Sequence, residues 1–484
     1  MRKKLLVLVV SLALILALAG LAQAEEITAD GLTALLPGQS ADEPLTRSGF
    51  ALLLNAAADI APAADAAASA EVLINEGIMK GYPDGSMGID EPVTRAQAAA
   101  FIARTLGLPE AVDPGAISGL EGLEGHWAYR PLAWMAREDL LDADAPDSRL
   151  TVGEGAALLA HVFGPVAEGR ELNAQSQIAL QDVRSMRMQG TFDMEMRLRE
   201  AADLEVPAEL ADLRMHGKLS TAINLDQGMY QVSTVTVPGL PAEVETEQYF
   251  TPDGVFMKTA DPMTGEGAWQ RMPEGLFPDI TAILEQSMGQ AVPPELDKMF
   301  YYRYLGEEQL DGRAVYKMAT YGQIKDFEEM MSVLESQLGG SFQDMLAPDG
   351  MPVGQILQSM NIIGVGYLDQ ETLAPVRMEM LLTVDLAEEI LGQPNPFAGM
   401  TMNCSFTYSD FGGEIVIEVP EEALNAPVLE IPVPELEVEE PPEPAVEEEP
   451  AEEEPVVGEP AFDEPDDDED SEDESLEVIV ETEG

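Results

Sequence analysis

Asp42-Glu43-Pro44-Leu45-Thr46-Arg47 returns 48 residues further on as Asp90-Glu91-Pro92-Val93-Thr94-Arg95. Each copy leads into an apolar run, Phe50 to Ala58 in the first and Ala98 to Leu106 in the second. A threonine at the head of such a run can accept from the backbone N–H three residues on. With Gln97 placed three after Thr94, the second copy has the spacing of a capping box. Phe101, Ile102 and Leu106 then recur at helical intervals and predict one buried stripe. A looser third copy, Leu150-Thr151-Val152-Gly153-Glu154, keeps the Thr-x-x-Glu cap but carries valine where the others carry arginine.

Upstream of the second and third caps lies a further helical pattern. Ala70 to Ile74 runs into Gly77-Ile78, and Trp127-Ala128 leads to Leu132, Met135 and Leu140. The turn-rich Gly81-Tyr82-Pro83-Asp84-Gly85 separates the two helices of the second copy. The first copy lacks both a clear first helix and this loop. The unit is thus helix, loop, Thr-capped helix. It cannot bury its apolar face alone, so the copies should pack together.

These residues resemble the S-layer homology (SLH) modules of bacterial surface proteins. The carriers are Glu76-Gly77-Ile78-Met79-Lys80-Gly81-Tyr82-Pro83-Asp84-Gly85 with Val93-Thr94-Arg95-Ala96-Gln97, and His126-Trp127-Ala128 at the start of a first helix. The resemblance spans roughly 30–165. It implies three modules in a pseudo-threefold helical unit that grips a secondary cell-wall polysaccharide, often pyruvylated, in grooves between modules. The chemistry fits: a carboxylate suits the planar, permanently charged fork of arginine. An arginine just inside a helix N-terminus adds backbone donors and the positive dipole end. The expected carbohydrate-binding set is Arg47, Arg95, Tyr82, Asp84, Trp127, Thr46 and Thr94. Taken singly, Trp127 reads as a core residue, and Tyr82 reads equally as turn packing or sugar platform. Val152 predicts a third groove without its anion contact.

From about residue 186 the period changes to two. Phe192, Met194, Met196 and Leu198 alternate with polar residues, and Leu219, Thr221, Ile223 and Leu225 follow. Tyr249 to Met257 reads as a hairpin around Pro252-Asp253-Gly254, and Leu310-Asp311-Gly312 marks another. Val376 to Val384 and Met402 to Tyr408 continue the alternation, with helical segments near Ile280–Gln290 and Asp326–Leu338. One curved antiparallel sheet with inserted helices is expected, its inner face rich in flexible, polarizable methionine. In its order and texture the segment resembles the lipoprotein carrier LolA and related half-barrels. That implies an apolar-ligand module taking a lipid or apolar peptide, the plainer reading being methionines packed on the helices.

The ends read differently. Met-Arg-Lys-Lys, an apolar run from Leu5 to Ala19 and Ala22-Gln23-Ala24 form the pattern of a secretory signal peptide, too short to span a membrane. Residues 427–484 hold 26 acidic and no basic side chains and predict a disordered Pro/Glu tail. The expected organisation is multidomain. A leader at 1–24 precedes all-α repeats at 25–165 and a connecting helix at 166–185, followed by an α+β domain at 186–426 and the tail.

The net charge of −65 over 484 residues excludes nucleic acid as a partner. The lone Cys404 excludes a disulfide scaffold or a cysteine metal site. Three histidines at 126, 161 and 216 lack ligand spacing, and no catalytic motif is present. The expectation is a secreted, non-catalytic protein of the cell wall or S-layer surface, needing no cofactor or membrane span. Its rival is a wall glycosidase or peptidase anchored by the same repeats.

Overall fold

The computed structural model describes residues 27–429 except 113, 115–119, 121, 142–143, 200–213, 240–242, 262, 274–293, 339–352 and 391. The leader, the helix expected near 280–290 and nearly all of the acidic tail lie outside the described residues.

Six helices make the repeat region: α1 (Ala29–Thr33), α2 (Arg47–Ala58), α3 (Ala66–Asn75), α4 (Arg95–Thr105), α5 (Tyr129–Arg137) and α6 (Val152–Phe163). Thr46, Thr94 and Thr151 cap α2, α4 and α6, accepting from Gly49, Gln97 and Glu154 N–H at 3.0, 3.3 and 3.2 Å. The residues just before the caps close a ring. Leu45 N–H donates to Leu150, Leu150 to Val93 and Val93 to Leu45, at 2.9, 3.0 and 2.8 Å.

The first N–H groups of a helix have no partner within it. Here they donate to the neighbouring repeat: Arg47 and Ser48 to Glu91 and Ile89, Arg95 and Ala96 to Ser148 and Pro146, Val152 and Gly153 to Glu43 and Ala41. Each first helix packs on the capped helix of the preceding copy, α3 on α2, α5 on α4 and α1 on α6. This is the pseudo-threefold unit that the SLH resemblance implies, with α1 supplying in five residues the first helix that the first copy lacked in sequence.

The sheet is a single antiparallel layer of eleven strands. These are β1 (Ser185–Leu198), β2 (Arg214–Asn224), β3 (Gly228–Thr236), β4 (Val244–Thr251), β5 (Gly254–Thr259), β6 (Trp269–Arg271), β7 (Phe300–Leu310), β8 (Arg313–Ile324), β9 (Leu357–Asp369), β10 (Pro375–Leu386) and, after a small ribbon of β11 (Glu389–Ile390) with β12 (Gln393–Pro394), β13 (Phe397–Ser409). Their order is β6-β5-β4-β3-β2-β1-β13-β10-β9-β8-β7. Alternation sets the two faces.

One face carries Met188, Phe192, Met194, Met360, Met380, Met400, Met402 and Phe406, covered by α8 (Pro294–Asp297) and α9 (Phe327–Leu338) through Leu296, Phe327, Met330 and Met331. The opposite face has two covers. Over β8–β10, Ala319, Tyr321, Ile363 and Leu381 share one core with Leu45, Phe50, Phe101 and Trp134 of the repeats. The repeats and the sheet are therefore packed as one body, not strung as beads. Over β2–β6, Ile415, Ile417 and α10 (Glu421–Leu424) lie on Ala222, Tyr249, Phe256 and Trp269. Val428 then pairs in parallel with Arg271, so 427–429, expected to open the disordered tail, add to the edge of β6.

The expected connecting helix is α7 (Val166–Leu180), and it does more than connect. It lies along edge strand β7 and shields main-chain groups that would otherwise invite another strand. Arg170 Nη2 donates to Phe300 O at 3.3 Å, and Tyr304 N–H to Pro165 O at 3.1 Å. A Cβ at Gly169 would lie 2.3 Å from the Tyr302 carbonyl oxygen, so only glycine permits this approach. Among the described residues no helix is long and apolar enough to cross a membrane.

Candidate functional sites

The sheet reaches up to the C-terminal ends of all three capped helices. Tyr301 donates its hydroxyl to Ala58 O at 3.2 Å, and Asn361 Nδ2 donates to Gly107 O at 2.7 Å. Arg303 donates from Nε to Val162 O at 2.7 Å and from Nη2 to His161 O at 3.1 Å. A cation suits the negative end of a helix dipole. Gly107 has φ +70°, and a Cβ there would sit 2.6 Å from Gln323. With their C-terminal ends on the sheet, α2, α4 and α6 turn their N-terminal ends away from it. Arg47, Arg95 and Val152, the first residue of each helix, stand at the ends away from these contacts.

Equivalent positions have unlike environments there. Arg47 is 2% exposed. Its Nε donates to Met87 O and its Nη2 to Lys80 O, both at 3.0 Å, and its guanidinium lies over the rings of Tyr82 at 4.9 Å and Phe101 at 5.2 Å. Burial lowers its pKa, opposed by Tyr82 and Glu91. Arg47, expected as an anion ligand, is instead a strut that fixes the loop of the second repeat, because that loop presents bare carbonyls to it.

Tyr82 is tied into the same cluster. It donates to Glu91 Oε2 at 2.9 Å and accepts from Gln97 Nε2 at 3.1 Å. Asp84 closes an exposed turn by accepting from the Ser86 backbone and hydroxyl at 2.9 and 2.7 Å, bonds that hold its carboxyl below the usual range. The hydroxyls of Thr46 and Thr94 are engaged as caps.

Arg95 differs: it is half-buried, and its shielded Nε has no hydrogen-bond partner. The backbone N–H groups expected to join it in holding an anion are bonded to Ser148 and Pro146, so the guanidinium is the donor left. Val152 is fully buried and leaves the third position without charge. Trp127 is 61% exposed rather than in the core, and its ring lies 5.7 Å from that of His126. His126 accepts from Ala128 N–H at 3.1 Å through Nδ1 and faces Asp147 Oδ1 at 3.4 Å through Nε2. Asp147 adjoins Ser148, the residue bonded to the Arg95 N–H, so one loop links Trp127 and Arg95.

The apolar face is a second candidate. Methionines of β1, β2 and β13 are direct cross-strand neighbours, Met215 with Met194, Met194 with Met402 and Met196 with Met400. Cys404 lies among them, 6% exposed, and burial pushes its thiol up to about 12, so it acts as a small apolar group. On the opposite face, β13, β1, β2 and β3 floor an open groove of about 480 Å³ lined by Gln189, Thr191, Lys218, Ser220 and Ser405.

Residues 58–99 match the S-layer homology domain, and residues 169–428 match a family of unknown function, DUF6612. No curated protein matches the chain. Among solved structures, LprF from Mycobacterium bovis is similar at 16% identity and TM-score 0.29, covering 53% of this chain and 98% of that one. The lipoprotein LppX from Mycobacterium tuberculosis shares 13% identity at TM-score 0.21, over 51% and 97%. A Vibrio parahaemolyticus domain described as an outer membrane lipoprotein-sorting protein shares 9% at TM-score 0.19, over 54% and 97%. The SLH match falls on the second repeat, whose loop holds Tyr82 and whose capped helix begins with Arg95.

Proposed function

The chain belongs to DUF6612, a family of unknown function, and we propose that it is a non-catalytic, exported surface protein. Its SLH repeats hold it to an anionic, pyruvylated wall polysaccharide while its sheet takes an apolar chain. The observation that supports the anchoring is the unpartnered Nε of Arg95, the first residue of α4. A buried guanidinium donor without a partner is costly, and a carboxylate of a wall glycan would supply one by a charge-assisted bond. Exposed Trp127, joined to Arg95 through the 146–148 loop, offers an aromatic face to a sugar ring.

Co-sedimentation of the full chain with purified walls, before and after chemical removal of pyruvate, tests the anchor. Arg95→Ala should release the protein as pyruvate removal does. Unchanged sedimentation in both cases sinks the reading. The sheet's part is supported by its methionine-lined face, whose side chains adapt to irregular apolar partners. Native mass spectrometry of the exported chain should reveal a co-purified lipid-sized mass, and a bare mass unable to take up fluorescent lipid counts against it.

A further inference from the structure

Arg170, Asn173 and Gln177 fall at i, i+3 and i+7 of α7, hence on one face. Asp297, the last residue of α8, and Tyr302 of β7 belong to the same place. Tyr302 lies within electrostatic reach of Asp297 and Arg170, and beside Asn173 without closing a hydrogen bond. Asp297, Tyr302 and Asn173 are 4%, 3% and 6% exposed.

Arg170 Nε, Asn173 Nδ2, both amide atoms of Gln177, Asp297 Oδ1 and the Tyr302 hydroxyl are buried without a partner. They are six of the eleven such side-chain atoms among the described residues, so the deficit is local and not scattered. Native structures satisfy nearly all buried polar groups, and a concentration of unsatisfied ones marks a place where something polar binds.

The cluster adjoins the methionine face. Tyr302 shares an apolar core with Leu296, Met380, Cys404 and Phe192. Register carries one row from Tyr302 through Thr320, Gly364, Met380 and Cys404 to Phe192. One end is polar and the rest apolar, which is the polarity of an amphiphile.

The chemistry of the polar end selects the head. Arg170 and Asp297 offset each other's charge. Unmet donors stand on Arg170, Asn173 and Tyr302, and unmet acceptors on Asp297 and Gln177. A phosphate or carboxylate would satisfy donors alone and face the Asp297 oxygen, whereas hydroxyl groups donate and accept together. We propose that Arg170, Asn173, Gln177, Asp297 and Tyr302 hold the uncharged, hydroxyl-bearing headgroup of an amphiphile whose chain lies along the methionine face. This rests on the reading that the face takes an apolar chain.

Displacement of a fluorescent fatty acid from the full chain by 1-monopalmitoylglycerol and by palmitate tests it. Monopalmitoylglycerol should bind at least ten-fold tighter than palmitate. Tyr302→Phe and Asn173→Leu should each remove most of that preference by weakening monopalmitoylglycerol, and Tyr302→Phe, which deletes a buried hydroxyl that had no partner, should melt no lower than the parent. Gln177→Leu is a second variant should Asn173→Leu fail to fold. Equal binding of both amphiphiles, unmoved by the variants, overturns the head site while the apolar-chain reading stands. Displacement by neither amphiphile, with no uptake of the probe, overturns both.

Discussion

Arg303 reaches 141 residues back along the chain to donate from Nε to the carbonyl oxygen of Val162 at 2.7 Å. With Tyr301 and Asn361 it makes the sheet the cap of the three main repeat helices. Arg303→Met removes the donors to the Val162 and His161 carbonyls and should cost about 3 kcal/mol, at roughly 1.5–3 kcal/mol for a hydrogen bond to a charged group. Calorimetry should still show one transition, shifted down. Separate transitions for repeats and sheet would contradict the shared core.

Arg47 and Arg95 occupy equivalent positions and should fail differently. Arg47→Ala loses two charge-assisted bonds, to the Met87 and Lys80 carbonyls, and should lower stability by about 3 kcal/mol in urea titration. Arg95→Ala removes a donor that has no internal partner, so stability should hold within about 0.5 kcal/mol while wall affinity falls about ten- to hundred-fold. The reverse pattern would assign the glycan contact to Arg47.

Trp127→Ala removes a largely exposed ring and should leave the melting temperature within about 2 °C of the parent. Sedimentation with walls should weaken severalfold. A strongly destabilised variant would mean that the ring supports the fold instead.

The duplicated hexapeptide made the threonine caps and the repeat legible, because capping is a local transaction between a hydroxyl and an N–H three residues away, whereas the threefold arrangement came from the SLH resemblance. Alternation did the same for β1, β10 and β13. The split between Arg47 and Arg95 was not legible. Both follow the same Glu-Pro-x-Thr, and what separates them is whether the next repeat offers carbonyls such as those of Lys80 and Met87. Tyr301, Arg303 and Asn361 gave no signal at all. They are ordinary alternating strand residues whose partners lie 141 to 254 residues away. The polar cluster at Arg170 was equally silent, since it needs three elements to assemble.

Two carboxylates, half-buried Glu138 and exposed Glu110, carry opposite pH signatures. Burial raises the pKa of Glu138, opposed by its bonds to Tyr321 and by Arg137 and Arg303. The folded state thus holds this proton more tightly than the unfolded chain, and stability falls as pH rises from the unfolded value near 4.3 through the folded one. Burial also acts to raise Glu110, but bonds from Arg104 and Lys80 outweigh it and leave its carboxyl low. Its contribution is full above the unfolded value and is lost as pH drops through the folded one. Urea midpoints from pH 3 to 7 should show Glu138→Gln gaining on the parent toward neutrality, and Glu110→Gln losing most there and least in acid.

Gly169→Ala would place a methyl group 2.3 Å from the Tyr302 oxygen and force α7 off β7. Overpacking of this kind costs about 1–3 kcal/mol, and hydrogen exchange should quicken first at Phe300 to Tyr304. A neutral effect would mean that the helix is not seated on the strand.

The ring through Leu45, Val93 and Leu150 has no free end. Each copy receives one main-chain proton and gives one, so excising any single copy breaks two of the three links and strands a donor on one survivor and an acceptor on the other. The degenerate first and third copies are for that reason indispensable even where they touch no sugar. Their sequences are at liberty to drift everywhere except at the few backbone positions that complete the circle.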